Sequence, residues 1–186
     1  MKFVKSVTLF AVVAASALIA HPALAENSVA IPAPPAGKGQ IVFYRSGTIM
    51  GAAMGCSVNE NGQKISSLGA GKYFIMVTEP GRHEYSVKSE ARDTLALEVE
   101  ADETQFATCK IKMGIMAGRP DIRPSTEAEF RSQNNPKMVD AEDMGPGPGA
   151  LRPEEVTAAL ARMQPSTSDL PTQAAESASG EGAAAQ

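Results

Sequence analysis

Cys56 and Cys109, the two cysteines of the chain, each fall on the apolar side of a segment whose residues alternate inward and outward, the two-residue repeat of a β-strand. Inward cysteines on separate strands predict a disulfide inside a β domain, with two buried free thiols as the alternative. Turn chemistry marks the first of these segments. Asn61-Gly62 offers the two positive-φ positions of a type I′ hairpin, which sets Val58 opposite Ile65 and Cys56 opposite Ser67. Around the second, Ala107, Cys109, Ile111 and Met113 point inward while Thr108, Lys110 and Lys112 point outward.

The same alternation extends over the middle of the chain. Gly69 and Gly71 turn into a strand with Tyr73, Ile75 and Val77 on one face and Phe74 and Met76 on the other, so both faces are covered. Pro80-Gly81 suits a type II turn, and His83, Tyr85 and Val87 then share a face. Leu95, Leu97 and Val99 alternate with Thr94, Ala96 and Glu98 as a half-buried strand. With an opening strand over 40–45, the pattern predicts an all-β fold, a small antiparallel β-sandwich of about six or seven strands.

Lys2 and Lys5, the apolar run Val7 to Ile19, and Ala23-Leu24-Ala25 have the form of a cleaved export signal over 1–25, leaving a chain that starts at Glu26. The apolar run is shorter than the roughly 18 residues that span a bilayer, so no transmembrane segment is expected after cleavage. No cysteine follows it to accept a lipid. The expected location is periplasmic or secreted, where paired cysteines oxidise. Closing the 53-position loop between Cys56 and Cys109 is worth roughly 4 kcal/mol in the chain-entropy model.

Charge divides the remainder. Beyond the leader 15 basic residues face 21 acidic ones, and the whole excess lies in residues 140–186, with eight acids and two arginines. Gly145-Pro146-Gly147-Pro148-Gly149 opens this region and Ala, Ser, Glu and Gly crowd its end, a composition short of apolar surface. Residues 132–186 are therefore expected to be a mostly disordered tail. The exception is a short helix over 153–163, with Pro153 at its start and Val156, Leu160 and Met163 at helical spacing. Pro32, Pro34 and Pro35 make 26–36 a linker, which leaves 37–131 as the β-sandwich domain.

Chemistry is hard to find in this inventory. His83 is the one histidine beyond the leader, too little to build a nucleophile-and-base site, and it suits a packed, hydrogen-bonded position on its strand. Glu98 and Glu100 lie on an outward face. No catalytic residue and no cofactor are assigned. Met50 and Met54 precede Cys56, and Met113 and Met116 follow Cys109, so a bridge would gather four thioethers of the kind that suit Cu(I). Core filling is the plainer role for them, and no metal site is assigned. A neutral domain with an acidic tail has no basic stripe for nucleic acid.

Gly47, Gly51 and Gly55 recur every four residues, as do Gly114 and Gly118, in uncharged, apolar surroundings. Tight turns account for them; the sharper expectation is one interaction patch beside the cysteines, formed by Met50, Ala53, Met54, Met113, Met116, Ala117 and Arg119. The ordered motifs Pro35 to Arg45, Met50-Gly51-Ala52-Ala53, Val58 to Gly62, Glu79-Pro80-Gly81-Arg82-His83, Lys112-Met113-Gly114 and Gly118-Arg119-Pro120 resemble the bacterial family of domain of unknown function 2846, over about 35–123. The middle segment is similar to PEGA-type surface-layer modules. The resemblance implies an exported small β-sandwich and brings no activity. Many such proteins carry a lipid anchor, whose cysteine this chain lacks. The function expected is that of a non-enzymatic exported module binding an envelope component or protein partner, with soft-metal binding or an unrecognised enzyme site as alternatives.

Overall fold

The computed structural model describes residues 27–49, 51–88, 92–112, 114 and 118–164. The expected leader and the start at Glu26 lie outside them. Among the described residues nine strands follow in order: β1 (Gly39–Tyr44), β2 (Cys56–Glu60), β3 (Gln63–Leu68), β4 (Lys72–Thr78), β5 (Gly81–Lys88), β6 (Arg92–Val99), β7 (Thr104–Lys112), β8 (Arg119–Ser125) and β9 (Lys137–Met138). Two helices accompany them, α1 (Glu127–Arg131) and α2 (Pro153–Met163), with a 3₁₀ turn over Ala141–Asp143. One sheet has the order β8-β7-β1-β4-β9 and the other β3-β2-β5-β6. The fold is an all-β sandwich with more strands than expected, and it is not wholly antiparallel: β1 pairs with β7, and β4 with β9, in parallel.

Alternation explains the core. Ile41, Phe43, Phe74, Met76, Tyr85, Val87, Leu95 and Val99 meet between the sheets, with Phe43 stacked on Phe74 at 5.0 Å and edge-on to Tyr85 at 4.9 Å. β1 and β4 are covered on both faces, as the pattern Tyr73/Ile75 against Phe74/Met76 requires. Their outer residues Val42, Tyr44, Tyr73 and Ile75 form a second core around Phe130 of α1, whose ring meets Tyr44, Tyr73 and Phe106 at 5.4, 5.7 and 5.6 Å. Thr126 caps α1 by accepting from the Glu129 amide at 3.2 Å, which aims Phe130 onto the sheet.

The Asn61-Gly62 turn forms with both residues at positive φ, 50° and 80°. Its register departs from the expected one after two pairs. A bulge lies between Asn59↔Lys64 and Val58↔Ser66, so Val58 faces Ser66 rather than Ile65, and Cys56 faces Leu68 rather than Ser67. The extra residue lets both Ile65 and Ser66 be buried. Cys56 nevertheless points inward, because the bulge sits on the partner strand.

Both flanks of the domain differ from expectation. Residues 27–36 do not run free: Asn27 N–H donates to the Arg131 carbonyl at 2.8 Å, Val29 and Ile31 pack on the Phe130 core, and Gln40 Nε2 donates to the Pro32 carbonyl at 2.6 Å. The region expected as a tail is folded through Gln164. Val139, Met144 and Ala150 pack on the inter-sheet core, while Met138, Leu151, Val156 and Leu160 pack on the outer one. The Gly-Pro run is a seam between the two sheets: Gly145 and Gly147 amides donate to Ile65 and Lys64 of β3 at 2.7 and 3.4 Å, and Val77 of β4 donates to Gly149 at 2.7 Å. Its few side chains concealed this role, because it holds its place by backbone hydrogen bonds. The helix expected over 153–163 is α2, with the Glu155 carboxylate accepting from the Arg152 amide at 2.7 Å. Residues 165–186 lie outside the described set. Among the described residues no helix is long and apolar enough to cross a membrane.

Candidate functional site

Strand directions give the sandwich two unlike ends. β1, β3, β5 and β7 finish, and β2, β4, β6 and β8 begin, at the end that carries the connections 45–55, 69–71, 89–91 and 113–118. Cys56 of β2 and Cys109 of β7 are joined there, with Cα atoms 6.6 Å apart, so one covalent bond ties the two sheets. Both residues are buried.

Arg45 organises the loop between β1 and β2, and nothing in the sequence signalled it. Its side chain is buried, with Nη1 donating to the Met54 and Leu68 carbonyls and Nη2 to the Gly51 carbonyl at 2.6 Å. Burial lowers the guanidinium pKa from its ordinary value. An always-charged fork meeting carbonyls on two segments fixes the 51–54 backbone against β3. Turn hydrogen bonds add to it, from Ala52 to Ile49 at 3.1 Å and from Met54 to Gly51 at 2.9 Å.

Gly118 lies against Met54 of the 45–55 loop. A Cβ on Gly118 would lie 2.6 Å from both Met54 Sδ and Ile111 Cγ2, and one on Gly51 would lie 2.9 Å from Ile111 Cγ2. The close spacing of these glycines therefore serves loop-on-loop packing. Of the expected patch residues, Ala53 and Arg119 are exposed and Met54 is half-buried; Met50, Met113, Met116 and Ala117 lie outside the described residues. Ile49, which no sequence signal singles out, is 96% exposed on the 45–55 loop. Of Met50, Met54, Met113 and Met116, only Met54 is among the described residues, and its sulfur lies beside Gly118. The cysteines have no thiolate to offer a metal while they are bonded to each other.

At the opposite end a cleft of about 420 Å³ opens between β4 and the seam, lined among others by Lys38, Glu60, Thr78, Glu79 and Glu155. Beside it His83 is held on both ring nitrogens, with Nδ1 at 2.8 Å from the Glu60 carboxylate and Nε2 at 2.9 Å from the Glu79 carbonyl. Its ring stacks at 6.2 Å on Tyr85, whose phenol is pushed far above its ordinary pKa by burial, with Glu60 adding to the effect. The hydroxyl of Thr78 is 3.0 Å from Nε2 and 3.3 Å from Nδ1. An oxygen nearly equidistant from both nitrogens lies along neither lone pair, so this Thr-His-Glu grouping does not align a nucleophile with its base. His83 holds β5 to the β4 turn and to β2, the packed and hydrogen-bonded position expected for it.

Residues 35–122 match the model of a family described as Protein of unknown function (DUF2846). No curated protein and no solved structure matches the chain.

Proposed function

The chain belongs to the DUF2846 family through residues 35–122, a family whose description assigns no activity, and we propose that it is an exported, non-enzymatic module that binds another envelope component through its disulfide-bearing end. The observation that carries this reading is Ile49, 96% exposed on a loop that the buried Arg45 and the Cys56–Cys109 bond hold in place. A large apolar side chain left in water on a mobile loop would be unremarkable; on a braced loop it is pre-positioned for contact. The run from Ser46 to Ser57 contains no charged residue, which removes the desolvation cost of covering it.

Export draws support from the disulfide, which belongs to an oxidising compartment. The non-enzymatic part draws support from His83, whose two nitrogens are occupied by Glu60 and a main-chain carbonyl. The test is Ala53→Asp in the native host. Ala53 is exposed, so the variant should melt like wild type within about 0.5 kcal/mol while its cofractionation with the envelope is lost. Unchanged cofractionation with unchanged melting would refute the binding role of this end.

A further inference from the structure

The charges around the apolar loop are arranged to choose its partner. Among the connections 45–55, 69–71, 89–91 and 113–118, the sequence contains one acid, Glu90. Lys88 ends β5, Arg92 begins β6 opposite it, Arg119 begins β8, and Lys110 of β7 lies beside Ser46 and Thr48. All four are exposed, and none forms an ion pair among the described residues. Of the described acids around them, Glu129 lies within electrostatic reach of Lys110, and Asp93 and Asp121 are both engaged. Asp93 accepts from the Ile122 amide at 2.8 Å, which also binds β6 to β8, and Asp121 pairs with Lys112 at 3.0 Å. At the far end Glu60, Glu79, Glu98, Glu100, Asp102 and Glu103, on strand ends and turns, outnumber Lys38, Lys64 and Arg82, with Glu79 paired to Lys38. The sandwich is therefore polar along its strands, with the uncharged run Ser46 to Ser57 flanked by four exposed cations against the single acid Glu90 at one end, and a net excess of acids at the other.

We infer that this end docks on an anionic phospholipid bilayer, with Ile49 inserted at the headgroup boundary and Lys88, Arg92, Lys110 and Arg119 on the phosphates. The inference rests on the binding reading of the loop given above and adds the partner's chemistry. A single protruding apolar side chain within a collar of cations matches a surface that is fluid, apolar beneath and negative on top. Neither element suffices alone: one shallow apolar insertion binds weakly, and a handful of cations binds only where the surface is negative. Acids at the far end orient the molecule by repulsion from the same surface.

The experiment is cosedimentation of the chain purified after export with vesicles of phosphatidylglycerol in phosphatidylcholine, and with phosphatidylcholine alone, at low and high salt. Binding is expected to the anionic vesicles only and to fall with salt. Ile49→Asp should weaken it at least about tenfold, and Lys88→Glu with Arg119→Glu by more than about 25-fold, on the basis of about fivefold per neutralised cation. Melting controls should be unchanged, since all three side chains are exposed. Equal binding to neutral vesicles, or loss of binding that does not follow the cations, overturns the inference. If Ala53→Asp abolishes envelope association while wild type ignores anionic vesicles, the lipid inference fails and the binding role stands, with a protein partner in place of lipid. A dimer in sedimentation velocity that Ile49→Asp dissociates also overturns it, in favour of a second copy. If wild type binds neither vesicles nor the envelope fraction, both readings fall.

Discussion

Replacing Gly145 with Ala adds one carbon at the point where the seam crosses β3. That Cβ would lie 2.5 Å from the Lys64 carbonyl carbon and nearer still to its oxygen. Both are main-chain atoms of a strand held in register with β2, so no rotamer change relieves the overlap and the 144–150 segment must move. Gly145 is not among the positive-φ residues, so Ala carries no backbone strain there and the effect is steric. Overpacking of this kind costs about 1–3 kcal/mol, and displacement endangers the 2.7 Å hydrogen bond to Ile65, worth about 1 kcal/mol net. The expected loss is about 2–4 kcal/mol, a substantial part of the roughly 5–15 kcal/mol that stabilises a domain. Gly147→Ala is the internal comparison, because its Cβ would lie 3.2 Å from the same oxygen, and it should cost under about 1 kcal/mol. Urea unfolding separates the two, with the slope reporting whether the seam detaches before the sandwich unfolds. A Gly145→Ala chain within about 0.5 kcal/mol of wild type would refute the claim that the seam is structural.

A chain ended after Lys137 should lose about 4 kcal/mol or more, because it removes the buried Val139 and Val156 and the packing of Met144, Ala150, Leu151 and Leu160; an unchanged melt would show that these contacts are idle. Replacing both cysteines with Ala should lower stability by up to about 4 kcal/mol in urea, and equal midpoints for the reduced and oxidised wild type would deny the bond a role. Burial raises the pKa of all three tyrosines, Tyr44, Tyr73 and Tyr85, above 10.0. The stability tied to them is complete below the unfolded value near pH 10 and is lost as pH rises through the higher folded values. Tyrosinate absorbance in an alkaline titration should therefore lag behind that of the urea-unfolded chain, and coincident curves would contradict their burial.

Alternation determined much of this molecule before any contact was known. The inward sets Phe74/Met76, Tyr85/Val87, Leu95/Val99 and Ala107/Cys109 follow from side-chain direction, which is local, and so does the placement of both cysteines between the sheets. Turn residues likewise act locally, which is why Asn61-Gly62 and the helix starting at Pro153 were legible. Tertiary structure decided everything held by partners distant in sequence. β8 carries Pro120 and Pro124, which an edge strand tolerates and a central one does not. The bulge at Ile65 depends on what β2 and the core will accept. The Gly-Pro seam and the segment 27–36 have little apolar periodicity of their own; they are held by main-chain groups meeting strand edges, and every residue has those groups, so composition does not reveal them. Arg45 is the sharpest case. An arginine after a buried strand predicts solvent, and its burial depends on three carbonyls, from Gly51 and Met54 of the loop that follows and from Leu68 of β3, because a charge can leave water when the folded loop and a neighbouring strand bring acceptors to it.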